Sequence, residues 1–184
     1  MANLDAPHGF VPVQSPHGND IPTQEFQATT AVAVYPGMLM YLADTGLISV
    51  WTGTATGYKA IVGAAMDYVA AAAPFGSRGV GVSIDPNQQY SVQCDDNSIT
   101  ALTDGLGGGY QIINASTGSA TRLVSLAELD ASSSTTVNNS TTISAVQMVR
   151  YADGSENILA QSYNDVIVRI RPENHLFGAG ALID

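Results

Sequence analysis

Between Gly79 and Asp96 the chain reads Gly-Val-Gly-Val-Ser-Ile, then Asp-Pro-Asn-Gln, then Gln-Tyr-Ser-Val-Gln-Cys-Asp-Asp. Val80, Val82 and Ile84 alternate with Gly79, Gly81 and Ser83; Tyr90, Val92 and Cys94 alternate with Gln89, Ser91 and Gln93. A period of two sends successive side chains to opposite faces, so each arm reads as a strand with one apolar face. Asp85 and Pro86 supply turn chemistry between them, a carboxylate for backbone amides and a fixed φ. The stretch therefore predicts an antiparallel hairpin whose Val80, Val82, Ile84, Tyr90, Val92 and Cys94 face a core. The other face, Gly79, Gly81 and Ser83, is nearly bare. Small residues there admit another backbone at close range, which predicts a contact face for a neighbouring subunit or a returning arm.

The segments around this stretch carry the same signature. Ala31 to Leu42 is an apolar run broken at Tyr35-Pro36-Gly37; Asp44-Thr45-Gly46 precedes a strand from Leu47 to Trp51. Tyr58 to Tyr68 reads as a strand, although Ala70 to Ala73 also permit a short helical turn before Pro74. Gly107-Gly108-Gly109 lies in a loop and lacks the Gly-Lys-Ser/Thr of a phosphate loop. Tyr110–Asn114, Arg122–Leu126, Ile143–Arg150 and Asp165–Arg171 are further strands, Leu126 to Leu129 suits one helical turn, and the Ser/Thr-rich stretch 131–142 suits an exposed loop. The fold class expected is all-β, a compact barrel or sandwich of short antiparallel strands spanning residues 26–172.

Both ends differ from this middle. Residues 1–25 contain Pro7, Pro12, Pro16 and Pro22, which remove amide donors and favour extended backbone. They also carry Leu4, Phe10, Val11 and Val13, apolar residues that a solvated tail does not need. Residues 173–184 hold His175, Leu176 and Phe177 among glycines and alanines. Both segments are expected to be extended arms, with Leu4, Phe10, Val11, Val13, His175, Leu176 and Phe177 as contact residues on another protein.

Sixteen acids against six bases give a formal net charge of −10, and the bases are scattered. Nucleic-acid binding rests on neutralising phosphates, so a direct nucleic-acid partner is not expected. With charged residues at only 12%, much of the surface is expected to be covered by other protein. No apolar run approaches the ~18 residues that a membrane span needs, and no charged-then-apolar leader is seen. The single cysteine, Cys94, cannot build a disulfide framework and reads as a small core residue.

No pattern points to catalysis. His8, His17 and His175 all lie in the arms, which hold metal ligands poorly. Asp95-Asp96-Asn97 lacks the spacing of a calcium loop, and neither Gly-x-Ser-x-Gly nor His-Glu-x-x-His occurs. Neither cofactor nor metal is expected.

Three blocks carry a resemblance. Residues 1–13 are MANLDAPHGFVPV, residues 84–96 are IDPNQQYSVQCDD and residues 166–177 are VIVRIRPENHLF. In that order they resemble the head decoration, or capsid cement, proteins of tailed bacteriophages. The middle block has one extra residue before its tyrosine, and the Ala-rich stretch before Pro74 and the loop at 131–142 depart from the common pattern. The resemblance implies a structural virion protein, made in the host bacterial cytoplasm and seated on the capsid exterior. Its partners would be the major capsid protein and its own copies, a trimer being the oligomer favoured. The competing expectation is another virion-surface or tail-associated β module that binds carbohydrate through Trp51, Tyr58 or Tyr68.

Overall fold

The computed structural model describes residues 5–13, 20–29, 32–53, 60–71, 78–95, 109–135, 145–152 and 162–178. Strands dominate them: β1 Val11–Pro12, β2 Thr23–Gln27, β3 Leu39–Leu42, β4 Ile48–Val50, β5 Ile61–Ala64, β6 Gly79–Ser83, β7 Gln89–Gln93, β8 Gly109–Ile113, β9 Gly118–Ser119, β10 Val124–Ser125, β11 Glu128–Thr135, β12 Val146–Tyr151 and β13 Asp165–Ile170. The only helical turn among them is a 3₁₀ turn at Pro172–Asn174, where Pro172 ends β13. No helix is long and apolar enough to cross a membrane among these residues. The fold is all-β, with antiparallel sheets packed together as in a sandwich.

The largest sheet has the order β1-β7-β13-β12-β8-β11. A second layer combines β4-β3-β5 with β6-β2, joined by the antiparallel bridge Ala65–Val82 and by Met66 N–H donating to the Gly81 carbonyl at 2.8 Å. In each layer one further bridge brings the ends together, Cys94–Leu129 between β7 and β11, and Ala28–Ile48 between β2 and β4. Both of these bridges are parallel. Counted from β7 to β11 in the first layer, leaving aside the added edge strand β1, and from β4 to β2 in the second, five strands of alternating direction leave the first and last pointing the same way. The meeting is one bridge wide in each layer, short of continuous barrel closure.

Two apolar clusters result. One gathers Tyr90, Val92, Cys94, Tyr110, Leu129, Val146, Met148, Val166 and Val168 under the large sheet; the other gathers Val34, Met38, Met40, Ile48, Val62, Val80 and Val82. β3 and β5 serve both: Leu39 and Ile61 face the first cluster, Met40 and Val62 the second. All four residues of β5 are buried for this reason. Cys94 is fully buried, in the core place expected of it.

The expected hairpin from Gly79 to Asp96 is corrected. Its two arms are strands, but β6 pairs with β2 and β7 pairs with β1 and β13. The connection is a turn, with Gln88 N–H donating to the Asp85 carbonyl at 3.0 Å and Asn87 N–H to Asp85 Oδ1 at 2.8 Å. Pro86 has a negative φ, whereas tight hairpins favour turns of the opposite hand and the ordinary types splay the strands. The chain therefore turns a corner from one layer to the other. Val80 and Val82 enter one cluster, with Ile84 packed against it, while Tyr90, Val92 and Cys94 enter the other.

Two further expectations are revised. Leu126 to Leu129 forms no helical turn; Leu126 N–H bonds the Thr117 carbonyl and β11 begins at Glu128. The stretch read as a loop from residue 131 is strand as far as Thr135, which pairs with Gly109 after an irregularity following Asp130. Thr suits a pleated strand when a partner edge is present, and β8 supplies it. The rest of that stretch, and Gly107 and Gly108, lie outside the described residues.

Candidate functional site

The three sequence blocks that carry the resemblance lie far apart in the chain and adjacent in space. β1 pairs with β7 through Val11–Ser91 and Pro12–Tyr90, and β13 pairs with the other edge of β7 from Asp165–Gln93 to Arg169–Gln89. Further hydrogen bonds, two of them through glutamine side chains, reinforce the ladder. Gln88 Nε2 donates to the Val13 carbonyl at 2.7 Å, Val13 N–H to the Gln89 carbonyl at 2.9 Å, and Ala6 N–H to Gln93 Oε1 at 2.9 Å.

This pairing alters the reading of the N-terminal arm. Residues 5–13 lie along their own domain, and Phe10 is fully buried, edge-on to Tyr90 with ring centroids 6.2 Å apart. A phenylalanine placed beside an all-β core gains more by entering it than by waiting for a partner. Phe10 N–H donates to the Gly37 carbonyl at 3.0 Å, and Arg122 Nη2 donates to the Pro7 carbonyl at 2.8 Å. Both ring nitrogens of His8 meet acceptors, Nδ1 the Gly9 carbonyl at 2.9 Å and Nε2 the Asp165 carboxylate at 3.3 Å. Val11 remains 45% exposed on the edge strand and Val13 is half-buried. Leu4 lies outside the described residues.

The start of the C-terminal arm is also fastened. Leu176 N–H donates to the Ile61 carbonyl at 2.8 Å, and His175 forms a bridge with Ile61. His175 is fully buried, Leu176 half-buried, and Phe177 is 49% exposed. Of the seven predicted arm contacts, Phe10 and His175 point into the protein, while Val11 and Phe177 present apolar surface.

The bare face of β6 is met by its own chain. The Glu25 side chain lies over Gly79, and Asp67 Oδ2 accepts the Gly81 N–H at 2.9 Å. Ser83 is fully buried, its Oγ accepting Ala64 N–H at 3.2 Å and lying 2.8 Å from Tyr90 Oη. Gly63 faces this point so closely that a Cβ there would overlap the Ser83 carbonyl. The close approach expected of small residues thus happens inside the protomer. Glu25 and Asp67 give the outer side of Gly79 and Gly81 a negative lining.

Three buried groups have perturbed acidity. Burial pushes the Tyr90 phenol up, against the opposing pull of its Ser83 hydrogen bond. Burial also raises the Glu128 carboxyl; the Asn114 amide, 3.1 Å from Oε2, opposes this, and the charges of Asp5 and Asp95 add to it. His175 is held down to about 4 by burial, with Asp85 pulling the other way. Tyr90 and Ser83 are sealed from solvent and tie two layers together, a structural task rather than a reactive one.

Other candidates disperse. Trp51 is buried at 4% exposure and so cannot present a sugar platform; Tyr68 is 42% exposed and packs at a tilt against Tyr35, ring centroids 5.2 Å apart; Tyr58 lies outside the described residues. Among the described residues no group of three His, Cys, Asp or Glu side chains is placed to hold a metal. Asp95 Oδ1 accepts the Ala131 N–H at 3.0 Å, and Asp96, Asn97 and His17 lie outside the described residues. One surface feature escaped the sequence reading: Leu123, 45% exposed with φ +54° in the β9–β10 turn, beside the Arg122 that grips the N-terminal segment. The strand expected over Arg122–Leu126 is confined to Val124–Ser125, which leaves Leu123 in the preceding turn, where alternation does not apply. No protein-family model, characterised protein or solved structure matches the chain.

Proposed function

We propose that this chain is a structural protein of a tailed-phage virion, a cement protein that binds the outer face of the capsid and bridges neighbouring capsomers. The observation that carries the reading is the convergence of the three resembling blocks into one contiguous unit, β1-β7-β13. Pieces of sequence that recur together have a physical reason to do so when they form one pairing. The unit leaves Val11 exposed at its edge, and the segment after β13 leaves Phe177 exposed. Such residues suit weak contacts that become strong when many copies sit in fixed register. A net charge of −10 suits a surface facing away from packaged DNA. The partners in this reading are the major capsid protein and sister copies, with a trimer favoured, and the location is the capsid exterior.

The test adds purified protein to shells of the parent phage that lack it and counts bound copies by electron microscopy. Wild type is expected to occupy regular surface sites. Val11→Asp and Phe177→Asp are expected to remain folded and to lose at least about tenfold in occupancy, as for a contact of ~1.4 kcal/mol or more. Absence of wild-type binding, or full occupancy by both variants, sinks the reading.

A further inference from the structure

We propose that His175 is an acid-operated latch: proton uptake by its ring detaches the segment Arg171–Gly178 from β5. The geometry carries this. His175 Nδ1 accepts the Phe177 N–H at 3.1 Å, so the neutral ring carries its proton on Nε2. Nε2 is enclosed and has no hydrogen-bond partner. A second proton would have to go to Nδ1, where it meets the Phe177 N–H head-on, breaking that bond while placing a charge in a fully buried site.

The segment is built to move as a piece. Its internal bonds run from Asn174 N–H to the Arg171 carbonyl at 2.8 Å, His175 N–H to Pro172 at 3.3 Å and Gly178 N–H to His175 at 2.9 Å. Gly178 rests on the Pro172 carbonyl so tightly that a Cβ would overlap it. Against these, attachment to β5 consists of the single parallel bridge His175–Ile61, of which the Leu176 N–H to Ile61 carbonyl bond is part. Two further ties hold it: Arg171 N–H to the Ala145 carbonyl at 3.1 Å, next to β13, where the segment hinges, and Leu176 packed against the second cluster.

Of the three elements at the ring, two carry charged groups. The β6–β7 turn contributes Asp85, which favours protonation. The segment itself contributes Arg171 and Glu173, paired with each other at 2.7 Å. β5 presents Ile61, Val62, Gly63 and Ala64, none of which titrates. Burial outweighs Asp85 and holds the ring down to about 4, against an ordinary value of about 6.5 for a released histidine. The opened form then binds more protons between those two values, so opening grows as pH falls through them.

Hydrogen exchange of the Leu176 and Phe177 amides, corrected for intrinsic rate and compared with β13 amides, tests the latch between pH 7.5 and 4.5. In wild type the opening constant is expected to rise on the order of a hundredfold while β13 stays protected. His175→Asn keeps an acceptor for Phe177 N–H but does not titrate, and is expected to abolish the rise. Asp85→Asn keeps the Oδ1 that caps Asn87 and removes the charge that helps the closed ring take up a proton, so with exchange extended to pH 3.5 its rise is expected to exceed that of wild type. This second variant decides the matter if His175→Asn fails to fold. Protection independent of pH in wild type overturns the proposal, as does an unchanged pH response in His175→Asn or a rise no larger than that of wild type in Asp85→Asn. None of these readouts involves a capsid, so the latch and the cement reading stand or fall separately.

Discussion

Ser83 Oγ and Tyr90 Oη lie 2.8 Å apart across the corner where the chain passes from one layer to the other, and both residues are fully buried. Ser83 belongs to β6 and Tyr90 to β7. The same hydroxyl also meets the Ala64 N–H and carbonyl of β5 at 3.2 and 3.4 Å. One small polar group thus ties three strands of two packed sheets, where an unmet partner has no water to turn to.

Tyr90→Phe removes one end of that bond while Ser83 keeps Ala64, and is expected to cost about 1–1.5 kcal/mol. Ser83→Ala removes the hydroxyl that bridges Tyr90 and the Ala64 backbone, leaving those two only each other, and is expected to cost about 2 kcal/mol. Urea unfolding of both single variants and the double variant is expected to show a coupling of roughly 0.5 kcal/mol or more. Strict additivity would mean that the two hydroxyls do not act together.

Gly63→Ala tests the same corner sterically. Its Cβ would overlap the Ser83 carbonyl, a backbone atom with nowhere to go. A loss of about 3 kcal/mol, or insoluble protein, is expected. The comparison is Gly46→Ala, at φ +78° with open space around it. That change is expected to cost only about 1 kcal/mol, from its left-handed backbone.

Phe10→Ala is expected to destabilise the domain by about 3–5 kcal/mol, because Phe10 is fully buried against Tyr90. Val11→Ala, one residue on and 45% exposed, is expected to stay within about 0.5 kcal/mol of wild type. Thermal melts decide it. Removal of residues 1–13 should for the same reason weaken the fold itself. If that truncated chain melts like wild type, the N-terminal segment is a true arm after all.

Glu128 provides a pH test whose sign is opposite to that of a salt-bridged acid. Its carboxyl is raised by burial and by Asp5 and Asp95, so the folded state prefers it protonated. That preference favours folding at low pH and is lost as pH rises above the ordinary carboxylate range. Glu128→Gln keeps an oxygen for the Asn114 amide and removes the charge. Its melting temperature is expected to exceed that of wild type by roughly 1–3 °C at pH 7.5. Near pH 3.5 the difference should shrink towards zero. A variant less stable at pH 7.5 would show that the carboxylate is held by favourable bonds stronger than its burial cost.

Strand after strand was legible in the residues themselves. The alternation of Val80, Val82, Tyr90, Val92, Val166 and Val168 placed each of them on a buried face, and all six are buried. Turn chemistry at Pro36-Gly37 and Asp44-Thr45-Gly46 marked real turns, the latter closed by Ala43 N–H to the Leu47 carbonyl at 2.8 Å. Pro86 even held the clue to the corner, since its fixed φ disfavours the tight hairpin that the flanking alternation suggests. Of the candidate contacts, Val11 and Phe177 kept exposed surface; Phe10 and His175, equally apolar or aromatic in the sequence, did not.

The period of two settles which side chains share a face, because it follows from the geometry of a single extended chain. It says nothing about what lies along the strand's hydrogen-bonding edges, since every residue except proline presents the same N–H and C=O there. That β6 pairs with β2 rather than β7, and that β1, β7 and β13 form one unit, were decided in three dimensions. The corner from Gly79 to Asp96 was two strands by its own sequence; only packing against Ala64, Gly63 and Phe10 placed those strands in different layers.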